Sequence, residues 1–191
     1  MSDILQRLRR DHANVQRLLL MLETQIAVLG RGESPDWDVV EGVIEYLLTY
    51  PDLCHHPLED QILEHLQVKD VSAAEPFFGL YAEHREQAQE LRRIAATTRQ
   101  VRQDVRMAQR DYFDLLSSFV AAQRDHIRKE EATFFPSADR ILDTGDWAEV
   151  EKGFVDLTDP LFGDRVELRF TALRNKLPHL DIAERTQPNS R

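Results

Sequence analysis

The stretch YPDLCHHPLEDQILEHL, residues 50–66, decides the fold, and within it the step from His55 to Glu59. Two histidines, a glutamate and an aspartate fall within the six positions His55 to Asp60, flanked by Leu53, Leu58, Ile62 and Leu63. So many metal-capable groups on so apolar a segment predict a bound ion rather than ordinary surface. On a helix each residue advances about 100°, so His55 and Glu59 lie about 40° apart and can grip one ion, or two adjacent ions, from successive turns. Steps of three and four from His55 meet Leu48, Glu59, Ile62 and Leu66, whereas the same steps from His56 meet Thr49, Asp52, Asp60 and Gln67. The pattern therefore predicts that His55 faces the core and His56 faces water.

Outward from this stretch the chain reads as helix throughout. The helix that carries it begins near Trp37, runs through Val40, Val43, Ile44 and Leu47, and ends around Val68, with Pro51 and Pro57 bending it or loosening its hydrogen bonding. Before it, Ile4, Leu8, Val15, Leu19, Leu22, Ile26 and Leu29 form one apolar stripe whose single gap is filled by His12. Gly30-Arg31-Gly32 and Ser34-Pro35 are expected to stop that helix and cap the next. A third helix, following Ser72, carries Phe77, Leu80, Tyr81, Ala88, Leu91 and Ala95 on a stripe that includes His84. Neither Gly nor Pro separates Thr97 from Gln109, so the next boundary is placed near 101–106 by length alone. The fourth helix runs through Tyr112, Leu115, Leu116, Phe119, Ala122, His126, Glu130, Thr133, Phe134 and Ile141 to a stop at Gly145. Its HIRKEE segment repeats the histidine-to-glutamate spacing, with Glu130 about 40° from His126 and Glu131 about 140° round as a neighbour. Residues 1–143 are thus expected to form a bundle with a metal site, and 144–191 a helical C-terminal extension. The extension comprises an amphipathic piece from Trp147 to Phe154, a turn at DPLFG (159–163), a helix from Asp164 to Leu177, and fraying from Pro178 onward.

Composition bounds the reading. A chain of 191 residues with 42% hydrophobic content can fill a real core, and seven glycines and eight prolines amid much Leu, Ala, Glu, Arg and Gln favour an all-α fold. The net charge of −10 argues against nucleic acid or an anionic membrane as partner. Arg92, Arg93, Arg99, Arg102, Arg106 and Arg110 have no interleaved aromatics and read as a solvated face. With a single cysteine, no apolar N-terminal signal region and no run of about 18 apolar residues, the expectation is a cytoplasmic protein without a membrane span. Cys54 steps onto Leu47, Tyr50 and Leu58 and is expected to be a small buried hydrophobe.

Helices running alternately up and down bring the chemistry to one level. His12 lies 18 residues before Gly30 and His55 lies 20 after Pro35, about 27 and 30 Å from their shared loop. The same arithmetic around the other loops places Glu59, His84, His126 and Glu130 within about two turns of that level, pointing inward in an up-down-up-down four-helix bundle. A lone histidine on an apolar stripe is commonly a hydrogen-bonded core residue, but two buried carboxylates amid four imidazoles are costly unless paired or coordinated. The set exceeds one tetrahedral ion and suits two ions with two histidines each and both glutamates bridging. Iron would retain an open position for an exogenous ligand, and zinc is the redox-silent substitute. No histidine has glutamate three positions before it, which argues against a ferritin-type arrangement.

Taken together, DH at 11–12, YPDLCHHPLED at 50–60, EH at 83–84 and HIRKEEATFFP at 126–136 resemble the bacterial hemerythrin-like, HHE cation-binding family, and DPLFG in the tail is similar too. The resemblance spans residues 1–143. It implies metal ligands at His12, His55, Glu59, His84, His126 and Glu130, and a non-haem centre of two iron ions, oxo- or hydroxo-bridged. Two departures stand out: Ala88 occupies the place where the oxygen-carrying members have a further histidine, and helix four has HxxxE where they have HxxxxD. One imidazole fewer is expected to favour reaction over stable dioxygen binding. The expected function is binding of dioxygen, nitric oxide or peroxide for sensing, iron handling or stress response. An oxidoreductase consuming peroxide or nitric oxide, or a helical interaction module with a structural metal, are the alternatives. Tyr50 and Tyr81 are candidates for a hydrogen bond to the bound species or an extra ligand, with packing the other role.

Overall fold

Ser2 opens the first helix: its hydroxyl accepts the Ile4 N–H at 3.1 Å and satisfies one of the orphan donors of α1 (Asp3–Gly30). The computed structural model describes residues 2–102, 109–153 and 158–177, and no strand occurs among them. α1 leaves through Gly32, whose φ of 78° suits glycine. Asp36, not Ser34, caps α2 (Trp37–Leu47), its carboxylate accepting the Val39 N–H at 3.3 Å. After a turn at 48–49 comes a widened π turn, Pro51–His55, and then α3 (His56–Lys69).

The third helix starts later than its apolar stripe implies. Asp70 caps a four-residue helix, α4 (Val71–Ala74), a 3-10 turn follows at Glu75–Phe77, and the long helix α5 (Leu80–Arg102) begins beyond Gly79. Pro76 and the strong Asp70 cap favour this broken start over a continuous helix from Ser72. The boundary expected near 101–106 lies mostly outside the described residues. α6 (Gln109–Lys129) passes into a second π turn, Glu130–Phe134, and α7 (Phe135–Ile141). Gly145 does not close this helix. Leu142 is extended (ψ 130°), Asp143 accepts the N–H groups of Gly145 and Asp146 at 2.8 and 3.2 Å, and Gly145 lies inside α8 (Thr144–Gly153).

The long segments each cross a buried polar layer that separates two apolar clusters. On α1 the order is Leu5 and Leu8, then Asp11 and His12, then Val15 to Leu29; on the α2–α3 segment the larger cluster comes first and Leu58 to Leu66 last. α5 repeats the order of α1 and α6–α7 that of α2–α3. α1 packs on α2 and α6, and α5 packs on the same two.

The tail contributes to both clusters: Val150 joins the smaller, and Leu161, Phe170, Leu173 and Leu177 the larger. Tyr46, fully buried, donates its hydroxyl to Asp159 at 2.8 Å, and the Phe162 and Phe170 rings meet it edge-on at 5.7 and 5.9 Å. Asp159 also accepts the N–H groups of Leu161 and Phe162, both at 2.8 Å, so DPLFG is the turn its composition predicts. That turn runs on to Glu167, whose N–H bonds the Pro160 carbonyl, so the last helix starts with a 3-10 turn at Leu168–Phe170 rather than at Asp164 and continues over 171–177. Leu173 packs against Gly42, where a Cβ would stand 3.4 Å from its methyl. Burial of each such leucine or phenylalanine is worth about 1.5–3 kcal/mol. The expected end of the amphipathic piece at Phe154 and fraying from Pro178 lie outside the described residues. No helix among those described is long and apolar enough to cross a membrane.

Candidate metal centre

Each HxxxE pair adjoins a π turn, and each π turn precedes a proline. The His56 N–H bonds the Pro51 carbonyl and the Phe135 N–H bonds the Glu130 carbonyl, both five residues back, immediately before Pro57 and Pro136. Proline lacks the N–H that would reach four residues back, and its ring crowds that carbonyl; widening the preceding turn relieves both. The widening also resets which side chains face inward. Five residues before His56 stands buried Pro51, so His56 does not face water as α-helical stepping predicts: its ring stacks on His84 at 4.2 Å and 14° and lies 6.2 Å from His126. Leu53, inside the π turn, is turned outward and 58% exposed.

His12, His55, Glu59, His84, His126 and Glu130 are all buried, none above 5% exposure, and they meet. His55 Nε2 lies 3.2 Å from Glu59 Oε1, and His12 Nε2 lies 3.7 Å from Glu59 Oε1 and 3.3 Å from Glu130 Oε2. On the other side His84 Nε2 lies 3.4 Å from Glu59 Oε2 and 3.5 Å from Glu130 Oε1, while His126 Nε2 is 2.9 Å from Glu130 Oε1. Each glutamate thus offers one oxygen to the His12–His55 pair and the other to the His84–His126 pair. Both oxygens of Glu59 and of Glu130, with Nε2 of His84 and of His126, are buried and have no hydrogen-bond partner. Such convergent orphans are costly in a packed core, and a cation between them would satisfy every one. The donors are imidazole nitrogen and carboxylate oxygen, a set suited to iron or zinc.

A ring of carboxylates holds the imidazoles from outside. His12 Nδ1 donates to Glu131 at 3.0 Å, His55 Nδ1 to Asp11 at 3.3 Å, His84 Nδ1 to Asp60 at 3.0 Å, and His126 Nδ1 to Glu83 at 3.3 Å. With Nδ1 engaged, each Nε2 is left to face the centre. Every one of these carboxylates is the chain neighbour of an inward residue (Asp11 of His12, Asp60 of Glu59, Glu83 of His84, Glu131 of Glu130) yet serves a histidine on another helix. Asp11, Asp60 and Glu83 were not assigned by helical stepping. Their signal is the doublets DH, ED, EH and EE themselves. Glu131 also receives Arg9, and Phe135 stacks on His12 at 5.2 Å.

The metal-free network is electrostatically tense. Burial pushes the His55 and His84 imidazoles down, but Glu59 with Asp11 for the first, and Asp60 with Glu130 and Glu59 for the second, outweigh it and raise them to about 10 and about 11. Burial also lowers His12, yet the nearby Glu130 carboxylate and its bond to Glu131 leave it raised. Burial and the nearby Glu130 charge raise Glu59, but His55 and His84 bring it down to about 2, and Glu130 is held well below its usual range against burial by His12, His126 and His84. His56, by contrast, is driven well below its ordinary value by burial and the surrounding imidazoles, so it is neutral.

The two tyrosines are engaged elsewhere. Tyr50 accepts from Arg7 at 3.3 Å, and Tyr81 donates to the Asp60 carbonyl at 3.2 Å; burial raises both phenols to about 12. Cys54 is buried in the larger apolar cluster, as its spacing predicts. Beside the centre is a cavity of about 30 Å³, lined by Ala88, Leu91 and Phe119 together with His55, His56 and His126.

Fold and site define a helical protein with a buried histidine–glutamate cluster whose donor atoms lie close enough together to hold a cation. The chain belongs to the hemerythrin family: the model of the hemerythrin HHE cation-binding domain matches residues 3–138. No curated protein and no solved structure matches it.

Proposed function

We propose that this is a non-haem di-iron protein whose centre takes up dioxygen, nitric oxide or peroxide, set in an up-down-up-down four-helix bundle. The observation that carries the reading is the division of each buried glutamate between two histidine pairs. His12 and His55 would hold one ion, His84 and His126 the other, with Glu59 and Glu130 bridging. The opposite order in which successive segments cross the polar layer supports the bundle. A bound iron pair would supply a two-electron couple and a position for an exogenous ligand. The chain's own residues would orient the donors through the carboxylate ring and give the cavity beside them a partly apolar wall at Ala88, Leu91 and Phe119.

Iron analysis and the visible spectrum of protein produced in iron-rich medium test this. Two irons per chain with the charge-transfer bands of a coupled diferric pair are expected; a fully helical protein that takes up zinc only, or no metal, refutes it. Ala88 on the cavity wall favours a second reading, consumption of peroxide or nitric oxide at the same centre. Peroxide loss with iron-loaded protein no faster than with free iron, or equal in Glu130→Ala, would eliminate the peroxide arm.

A further inference from the structure

We propose that Arg9 is a positioning residue of this centre, holding the His12 imidazole from α1 through two supports at once, the Glu131 carboxylate and the Phe135 ring. The inference rests on the reading of the cluster as a metal site and assigns a role to a side chain outside the carboxylate ring.

Both supports come from one place. Glu131 lies inside the second π turn and Phe135 follows it, and both reach His12. One Glu131 oxygen accepts the His12 Nδ1–H at 3.0 Å and the other accepts Arg9 Nη1, so the carboxylate is held at both ends and cannot swing away from the imidazole without losing a bond. The fully buried Phe135 ring stacks on His12 at 5.2 Å and 9°. The Arg9 guanidinium carbon lies 5.6 Å from the centre of that same ring, within cation–π range. Glu131 therefore restrains His12 along its Nδ1–H bond, in the plane of the imidazole, and Phe135 restrains it against tilting out of that plane. A guanidinium suits both contacts, because it is planar, donates through a fork and stacks on aromatic faces, whereas an ammonium is a hydrated point charge. Arg9 Nε is buried and has no hydrogen-bond partner, a cost that a freely solvated arginine would avoid and that the two contacts must outweigh. Lys129, beside the Glu83 carboxylate that serves His126, is by contrast 66% exposed and 3.5 Å away.

Arg9 thus sets the aim of His12 Nε2, which lies 3.3 Å from Glu130 Oε2 and 3.7 Å from Glu59 Oε1. Loss of its grip should weaken the ion position of His12 and His55 and leave that of His84 and His126 nearly unchanged.

Imidazole N–H resonances of the metal-free full chain test the positioning before any metal is added. In Arg9→Leu, which removes charge and fork but keeps an apolar stem, the His12 Nδ1–H, assigned by its loss in His12→Gln, should exchange with water about tenfold faster, as when the hold of one hydrogen bond is lost. Those of His55, His84 and His126 should not change. Arg128→Leu, which removes a charge from the groove that Arg9 also lines, should match wild type. Iron(II) titrations against a chelator supply the second measurement. Arg9→Leu should weaken one binding step about three- to tenfold, at or below the lower end of what loss of a histidine-orienting partner costs; Arg9→Lys should recover only part of it, with helicity unchanged in both. Unchanged His12 exchange in Arg9→Leu, or an equal effect in Arg128→Leu, overturns the proposal. So does equal weakening of both binding steps, or full affinity in Arg9→Lys, which would leave charge alone as the cause. Wild-type protein that takes up no iron overturns the metal reading and this role with it, whereas iron bound equally by wild type and Arg9→Leu overturns the role alone.

Discussion

Replacing the outer carboxylates one at a time should grade metal affinity by how deeply each is buried. The substitutions are Asp11→Asn, Glu131→Gln, Asp60→Asn and Glu83→Gln, each nearly isosteric and each removing a charge while keeping an acceptor. Loss of a carboxylate that orients a ligating histidine typically costs 10- to 100-fold in affinity, about 1.4–2.7 kcal/mol. Where in that range each falls follows from solvent screening, which weakens a charge as exposure grows. Side-chain exposure is 12% for Asp11, 27% for Glu131, 32% for Asp60 and 41% for Glu83. Glu83 also shares its charge with Lys129 at 3.5 Å. Asp11→Asn should therefore approach the hundredfold end, Glu131→Gln and Asp60→Asn fall between, and Glu83→Gln lose tenfold or less. The assay is competition for iron(II) against a chelator of known affinity under anaerobic conditions, with helicity of the metal-free variants as the folding control. Four variants within twofold of wild type would refute any role of the ring in holding the imidazoles, and a larger loss in Glu83→Gln than in Asp11→Asn would refute burial as what sets its strength.

Metal uptake at pH 7 should release at least two protons, because His55 and His84 are raised to about 10 and 11 in the metal-free chain and must lose their protons to bind, with His12, also raised, adding to the count; calorimetry in buffers of different ionisation enthalpy counts them, and release near zero contradicts the network. The metal-free protein should also be squeezed from both sides in pH. Raised imidazoles contribute stability that is complete below their unfolded value near 6.5 and lost as pH climbs through about 10, whereas depressed Glu59 contributes above about 4.5 and loses it as pH falls toward 2. Urea midpoints across pH, with and without bound metal, would show it, and a flat apo profile would contradict it. Tyr46→Phe leaves Asp159 without its buried donor and should cost about 1–2 kcal/mol, roughly 3–6 °C in Tm, with metal content unchanged; a loss of metal would mean that the tail and the centre are coupled.

The apolar stripes and their gaps were enough to read the helices and the six inward residues, because both depend on a period that the α-helix keeps for many turns. His12 stands out where a leucine would otherwise continue the stripe from Leu8 to Val15, and His84 does so between Tyr81 and Ala88. Helix ends were harder. Asp70, Asp143 and Asp159 set the start of α4, the start of α8 and the DPLFG turn through side-chain bonds to N–H groups two or three residues on. A carboxylate that caps looks no different in sequence from one that is merely solvated. Gly145 looked like a stop and is instead the second residue of a helix, since Asp143 had already satisfied its N–H.

The misplacement of His56 has a different cause, and it bears on why the site is built where it is. Counting by 3.6 fails across a turn of i to i−5 bonds, and the chain places such a turn at each HxxxE pair, with the proline at 57 or 136 as its only visible sign. A regular α-helix presents one inward residue per turn to a given level. At the first widened turn the adjacent His55 and His56 rings both turn inward, His56 stacking on His84, and at the second Glu130 points inward while Glu131, next in the chain, reaches back to His12. The first irregularity thus turns inward an imidazole that helical stepping places in water, whereas pairing an inward residue with an outer carboxylate needs no irregularity, since Asp11–His12, Glu59–Asp60 and Glu83–His84 do so on regular helix. A proline two residues past the end of such a turn, Pro57 after His55 and Pro136 after Phe134, is for that reason a positional signal, and it is carried by the local backbone chemistry rather than by the hydrophobic pattern.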